Sequence, residues 1–132
     1  MPYKGGAREA VNSRLTIKYL FRIKPLKMYQ TKFSAADIHA AFVNDRNRAY
    51  KVFFSEQIEV TGEITYIGPD RYDRPSIEMG GNHYDGSQVV FIFASGYDKN
   101  VTIEKCQNVT ISGECRGALQ NGTVVIENCK IL

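Results

Sequence analysis

Gln57-Ile58-Glu59-Val60-Thr61-Gly62-Glu63-Ile64-Thr65-Tyr66 is the stretch that decides the fold. Ile58, Val60, Ile64 and Tyr66 fall on one side, and Glu59, Thr61, Glu63 and Thr65 on the other. Strict alternation of this kind marks a strand with one buried and one wet face. Gly62 takes an apolar-side position where a side chain is expected. A glycine inside a good strand signals a bend, a bulge or a close backbone approach. The pattern returns downstream, where Val109, Ile111 and Cys115 alternate with Thr110, Ser112, Glu114 and Arg116, and Gly113 takes the same inward place. Two bent strands with central glycines imply a small, strongly curved barrel.

Upstream of this stretch, residues 33–50 give the best helix signal. Ser34 is the N-cap and Asp37 lies three residues on, an acidic variant of the capping box. Phe33 and Ile38 form a hydrophobic staple across that cap. Ile38, Ala41 and Phe42 make a narrow apolar stripe, with Ala49 farther along, while Asn44, Asp45, Arg46 and Arg48 face away. Tyr50, Val52 and Phe53 lead into the first strand. Residues 15–23 alternate too, and Pro25 ends them, which predicts an edge strand or a packing arm.

Downstream, Gly68 to Pro75 reads as a loop of turn formers. Ser76 to Met79 is a second strand, Gly80 to Ser87 a turn, and Gln88 to Ala94 a third strand. Being apolar on both faces, the third strand is expected to be central or covered. Val109 to Arg116 is the fourth strand. Asn121-Gly122 signals a hairpin, because both residues accept positive φ. The fifth strand runs from Thr123 to Leu132. Its apolar set, Val124 and Ile126, slips to Cys129 and Ile131, which calls for a bulge near Glu127 and Asn128. The expected architecture is mainly β: a five-stranded OB-like Greek-key barrel with one N-terminal helix packed on it and a basic N-terminal arm. Residues 1–32 are the arm or an extra strand, and residues 33–132 the barrel domain.

The 132 residues suffice for one domain and one core. Net charge is +3 but unevenly spread. Residues 1–32 hold eight lysines and arginines against Glu9 alone, a surplus of seven, so the remaining hundred residues carry −4. A basic arm attracts anionic partners; an acidic barrel repels them. No stretch is long and apolar enough to span a bilayer, and no clean signal-peptide core is present, so a cytoplasmic protein is expected. Cys106, Cys115 and Cys129 form no Cys-x-x-Cys pair, and no metal, cofactor or obligatory disulfide is expected.

Residues 33–132 resemble the tRNA_anti-like family, OB-fold domains named for their similarity to anticodon-binding OB domains. The resemblance rests on Phe33-Ser34-Ala35-Ala36-Asp37-Ile38 with Phe42, Asn44 and Ala49, and on Ile58 to Ile64. It continues through Val109-Thr110-Ile111-Ser112-Gly113 and Val124 to Ile131. It implies an OB barrel and a nucleic-acid-binding module, and it brings no catalytic residues with it. Cys106 departs from the family pattern, which has a turn glycine there.

The chemistry in the sequence favours binding over catalysis. His83 with Asp85 offers too few ligands for a metal. Glu59 and Glu63 read as a wet face, and Cys115 reads as core. Gly80 to Gly86 matches no phosphate-loop pattern. OB barrels bind through strands two and three and the adjoining loops. The first such loop carries Arg71, Tyr72 and Arg74, two cations and a stacking ring. Asp70 and Asp73 offset them, and a salt-bridged surface turn is the competing reading. The other loop, Gly117 to Gly122, has no charge. Arg14, Lys18 and Arg22 of the arm complete the candidate nucleic-acid contacts. Single-stranded nucleic acid is the first expected partner. A protein partner or a second copy, met through the barrel and the arm, is the alternative.

Overall fold

The computed structural model describes residues 31–97 and 102–132. Its elements are strand β1 (Lys32–Ser34), helices α1 (Ala35–Asn44) and α2 (Arg46–Phe53), and strands β2 (Gln57–Pro69), β3 (Pro75–Asn82), β4 (Gly86–Ile92), β5 (Asn108–Ala118) and β6 (Val124–Ile131). The expected strand over 15–23 lies outside the described residues.

Strand β2 closes the barrel by changing partners along its length. Residues Gln57 to Glu63 pair antiparallel with β5, and Ile64 to Pro69 pair antiparallel with β3. The ring continues from β3 to β4, then through a parallel β4–β6 ladder, and returns through antiparallel β6–β5. This is the five-stranded OB-type ring expected from the alternating segments. Short β1 runs parallel to β2 at Glu59 to Thr61 and covers the edge that β3 does not reach. The alternating residues Ile58, Val60, Ile64, Ile111 and Cys115 are all buried.

Both glycines mark close approaches. A Cβ on Gly62 would stand 2.9 Å from Met79 Sδ and 3.3 Å from Ala35 Cβ, so the glycine lets α1 and β3 close onto β2. A Cβ on Gly113 would stand 2.6 Å from Ile126 Cγ2 and 2.9 Å from the Glu127 carbonyl. That crowding comes from the bulge anticipated in the fifth strand. The β5–β6 register shifts between Ser112 and Glu114, and Asn128 takes φ 54°. The slip moves the buried set from Val124 and Ile126 to Cys129.

The helical region departs from the expected single helix. Ser34 Oγ accepts from Asp37 N at 3.0 Å, as the cap predicts. The helix then ends at Asn44. Asp45 leaves helical geometry (φ −156°, ψ 83°), and its carboxylate accepts from Arg48 N at 3.2 Å, capping a second helix. An aspartate that can cap its own downstream turn competes with helix continuation. Tyr50, Val52 and Phe53 therefore belong to α2 rather than to a lead-in for β2. Phe33, Phe42, Tyr50 and Phe53 pack edge-on or tilted, with Phe33 and Phe53 at 5.2 Å and 89°. Helix α1 contacts β2, β3, β4 and β6, and α2 contacts β5, so the pair lies across one end of the barrel.

The β5–β6 turn also differs from a two-residue hairpin. Leu119 and Thr123 bracket it, Gly122 donates to the Leu119 carbonyl at 2.9 Å, and only Gly122 of the Asn-Gly pair has positive φ. Cys106 adopts φ 71°, the left-handed conformation that suits the family's turn glycine.

Gly113→Ala is expected to cost about 1–3 kcal/mol, because its methyl meets a backbone oxygen that cannot swing aside. Gly62→Ala is expected to cost less, since the flexible Met79 thioether can yield. Urea denaturation of the two variants checks the order; an equal or reversed cost would contradict it.

Candidate nucleic-acid interface

The β2–β3 loop, residues 70–74, lies at the end of β2 away from the helices. Asp70 organises it. Its Oδ1 accepts from Tyr72 N at 2.9 Å and from Arg74 N at 2.8 Å, and its Oδ2 accepts from Arg74 Nε at 2.9 Å. The Asp70 amide donates to the Arg74 carbonyl at 2.9 Å, and Asp73 takes φ 64° to complete the reversal. Burial of the Asp70 carboxyl acts to raise its pKa. The donors from Arg74 and Tyr72, together with the Arg74 charge, outweigh that and hold the group below its ordinary 3.8.

The three loop residues predicted from sequence thus sit together but do different work. Arg74 is a strut: it pairs with Asp70 at 2.7 Å and reaches Glu127 of β6 at 3.6 Å. The paired turn expected as the competing reading is correct for this arginine. Its guanidinium also lies 5.2 Å from the Tyr72 ring. Tyr72 is 68% exposed and Arg71 is exposed, with no carboxylate paired to it among the described residues. Arg14, Lys18 and Arg22 lie outside the described residues.

Sequence reasoning missed a second ring cluster on the same strands. Tyr66 pairs with Glu78 across β2–β3, on the outer side of the sheet opposite buried Met79. Positive φ at Gly80 and Gly81 turns the chain so that His83 folds back over Tyr66. The two rings stack at 3.7 Å and 7°, and Tyr84 meets His83 edge-on at 5.3 Å. His83 Nδ1 bonds Glu78 Oε2 at 2.8 Å, and Ser87 Oγ donates to Glu78 Oε1 at 3.0 Å, which satisfies a buried carboxylate. Asp85, the partner suggested by spacing, accepts from Asn82 instead. The available signal was the pair of glycines between Glu78 and His83. Tyr84 stands almost fully exposed at the hairpin tip.

The uncharged loop at the other barrel end is held by the helices. Arg46 donates to the Ala118 and Leu119 carbonyls, Tyr50 OH to Ala118, and His39 Nδ1 lies 3.0 Å from the Gly122 carbonyl. Cys115 and Cys129 are buried, and burial pushes their thiols up to about 11 and about 12, so neither is a nucleophile near neutral pH. All three cysteines are free. No group of three or more His, Cys, Asp or Glu that could hold a metal occurs among the described residues. No helix among them is long and apolar enough to cross a membrane.

The tRNA_anti-like family model matches residues 8–130. The chain belongs to the tRNA_anti-like family. The match begins well before residue 33 and takes in most of the basic arm, which the resemblance drawn from residues 33–132 had left outside. In three dimensions this family member is similar to the crystal structure of a "putative nucleic acid-binding lipoprotein" from Klebsiella pneumoniae. The TM-score is 0.61, with 18% identity over 78% of this chain and 92% of that one. At that identity the likeness speaks for the fold. No curated protein matches the chain significantly.

The lowered Asp70 pKa fixes the sign of an acid effect. Such a carboxyl stabilises the fold above its ordinary 3.8, and the contribution fades as pH falls through the lower folded value. Asp70→Asn is therefore expected to lower stability near neutral pH and to flatten the stability profile below pH 3.8. Thermal unfolding across pH checks this; parallel profiles for the two proteins would contradict it.

Proposed function

We propose that the protein is a non-catalytic OB-fold module that binds single-stranded nucleic acid weakly, by charge first and by base stacking second. The observation that carries this reading is the Tyr72 ring, exposed beside Arg71 on a loop that Asp70 makes rigid. A ring held in place loses little conformational freedom when a base stacks on it. The Tyr66–His83–Tyr84 cluster supplies further ring surface on β2 and the β3–β4 hairpin, on the barrel side that OB domains use for oligonucleotides. Family membership supports the same class of role. The acidic barrel supplies little phosphate attraction, so the surplus cations of residues 1–32 carry that part.

Four outcomes are expected from fluorescence anisotropy with labelled single-stranded DNA and RNA. Affinity falls steeply as salt rises. Removing residues 1–24 weakens binding to every sequence alike. Tyr72→Ala costs roughly 1–3 kcal/mol, the range of one stacked base. Arg74→Ala acts through loop order rather than through phosphate contact, so it leaves the salt slope unchanged. Absence of binding at low salt would overturn the proposal and favour a protein-interaction module built on the barrel and arm.

A further inference from the structure

Helix α2 and the β5–β6 turn present a second surface, with a different chemistry. Arg46, Tyr50 and Phe54 follow one another at four-residue spacing and so lie along one side of α2 and its C-cap. The Arg46 guanidinium stands 5.7 Å from the Tyr50 ring centre, and Tyr50 stacks on Phe54 at 5.9 Å and 22°. Arg116 of β5 covers Phe54 at 4.8 Å. The result is a cation–ring–ring–cation ladder.

Fastening α2 to the barrel accounts for part of the ladder, since Arg46 and Tyr50 bond the Ala118 and Leu119 backbone. It does not account for the apolar side chains left around it. Val43 is 60% exposed, Leu119 51% and Phe54 42%. Val43 and Leu119 flank the same turn: Val43 Cγ2 lies 3.5 Å from the site of a Gly122 Cβ, and Gly122 donates to the Leu119 carbonyl. Exposed apolar side chains that lie together mark an interaction site, and tyrosine and arginine are enriched at the centres of protein interfaces.

Charge identifies the occupant. Residues 33–132 hold nine lysines and arginines against thirteen aspartates and glutamates, yet Arg46, Arg48, Lys51 and Arg116 all lie on or beside α2. Arg48 pairs with Asp45 at 3.2 Å and Arg116 with Glu114 at 2.9 Å, both at partly exposed positions. No acidic residue occurs within α2. Arg46 donates to carbonyls and is paired with no carboxylate among the described residues. The basic arm is the wrong sign to cover this surface. Nucleic acid has the right sign, but it makes no use of exposed valine and leucine, and Tyr50 and Arg116 already lie against the Phe54 ring.

We infer that the Val43–Phe54–Leu119 surface, rimmed by Arg46 and Arg116, docks an acidic segment of a partner protein that carries an aliphatic or aromatic anchor between carboxylates. The anchor lies against the exposed Val43, Leu119 and Phe54 side chains, and the carboxylates meet Arg46 and, in place of Glu114, Arg116. This surface is independent of the β2–β3 loop, so it stands or falls apart from nucleic-acid binding.

The test selects short random peptides, displayed on phage, on the full-length protein. Enriched peptides are expected to share a leucine or phenylalanine flanked by aspartate or glutamate. A synthetic copy of the best one should bind Leu119→Ser/Arg116→Glu at least about tenfold more weakly. It should bind Arg71→Ser/Tyr72→Ala as it binds the wild type. Circular dichroism confirms that the variants fold; if the double variant does not, Arg116→Ser alone is expected to weaken binding. No enriched motif, a motif without acidic residues, or undiminished binding to the Leu119 and Arg116 variants would overturn the inference. A dimer that Leu119→Ser/Arg116→Glu dissolves in sedimentation would also overturn it, by making a second copy the occupant.

Discussion

The exchange of partners along β2 is the constraint on which the rest of the molecule depends. One strand must pair with β5 over its first half and with β3 over its second, and it must curve between them. The curve is accommodated at two places. Gly62 removes the side chain that would hold Met79 and Ala35 away, and the register shifts between Ile64 and Tyr66. A barrel this narrow then fills with side chains alone: Val60, Ile64, Met79, Val89, Phe91, Ile111, Val124 and Ile126 are all inaccessible to solvent. With a filled interior, a ligand of any size is left to the outside and the rims.

The two rims are unlike because the helices cover only one. At the covered end, Arg46, Tyr50 and His39 hold the β5–β6 turn through its backbone, leaving apolar side chains and cations outermost. At the open end, Asp70 holds the β2–β3 loop from within, leaving Tyr72 and Arg71 outermost. In both places polar groups directed at the backbone fix the loop, and the residues they do not use are left exposed. That division leaves a ring and a cation exposed at the β2–β3 loop, and aliphatic side chains and cations exposed around α2 and the β5–β6 turn.

Local patterns carried most of the fold. Alternation in 57–64 and 109–116, the Ser34 cap and the slip at Asn128 all concern residues near in sequence, and each reappears in place. Tyr66, expected on the buried side with Ile64, is the exception, because the register shift between Ile64 and Tyr66 turns it to the outer face. The helix break at Asp45 was hidden because Asn44 to Arg48 suits a helix surface and a new helix start equally well. Site geometry was less legible for a different reason. Arg74 pairs with Asp70, as the local turn suggested, and also with Glu127 of β6, a pairing over 53 positions that no local pattern encodes. His83 looked like a loop residue because its partner, Glu78, is buried only by the fold-back that Gly80 and Gly81 allow. The ladder on α2 is partly local, but Arg116 reaches it only once β5 is in the barrel.

The proposed nucleic-acid surface is tested most directly by titrating the isotope-labelled full-length protein with a short single-stranded oligothymidine at low salt and following backbone amide resonances. Saturable shifts confined, among residues 31–132, to Arg71, Tyr72 and the Tyr66, His83 and Tyr84 cluster are the predicted result. Shifts that leave this face unchanged and gather instead on Val43, Phe54 and Leu119, or no shifts at all, would contradict it.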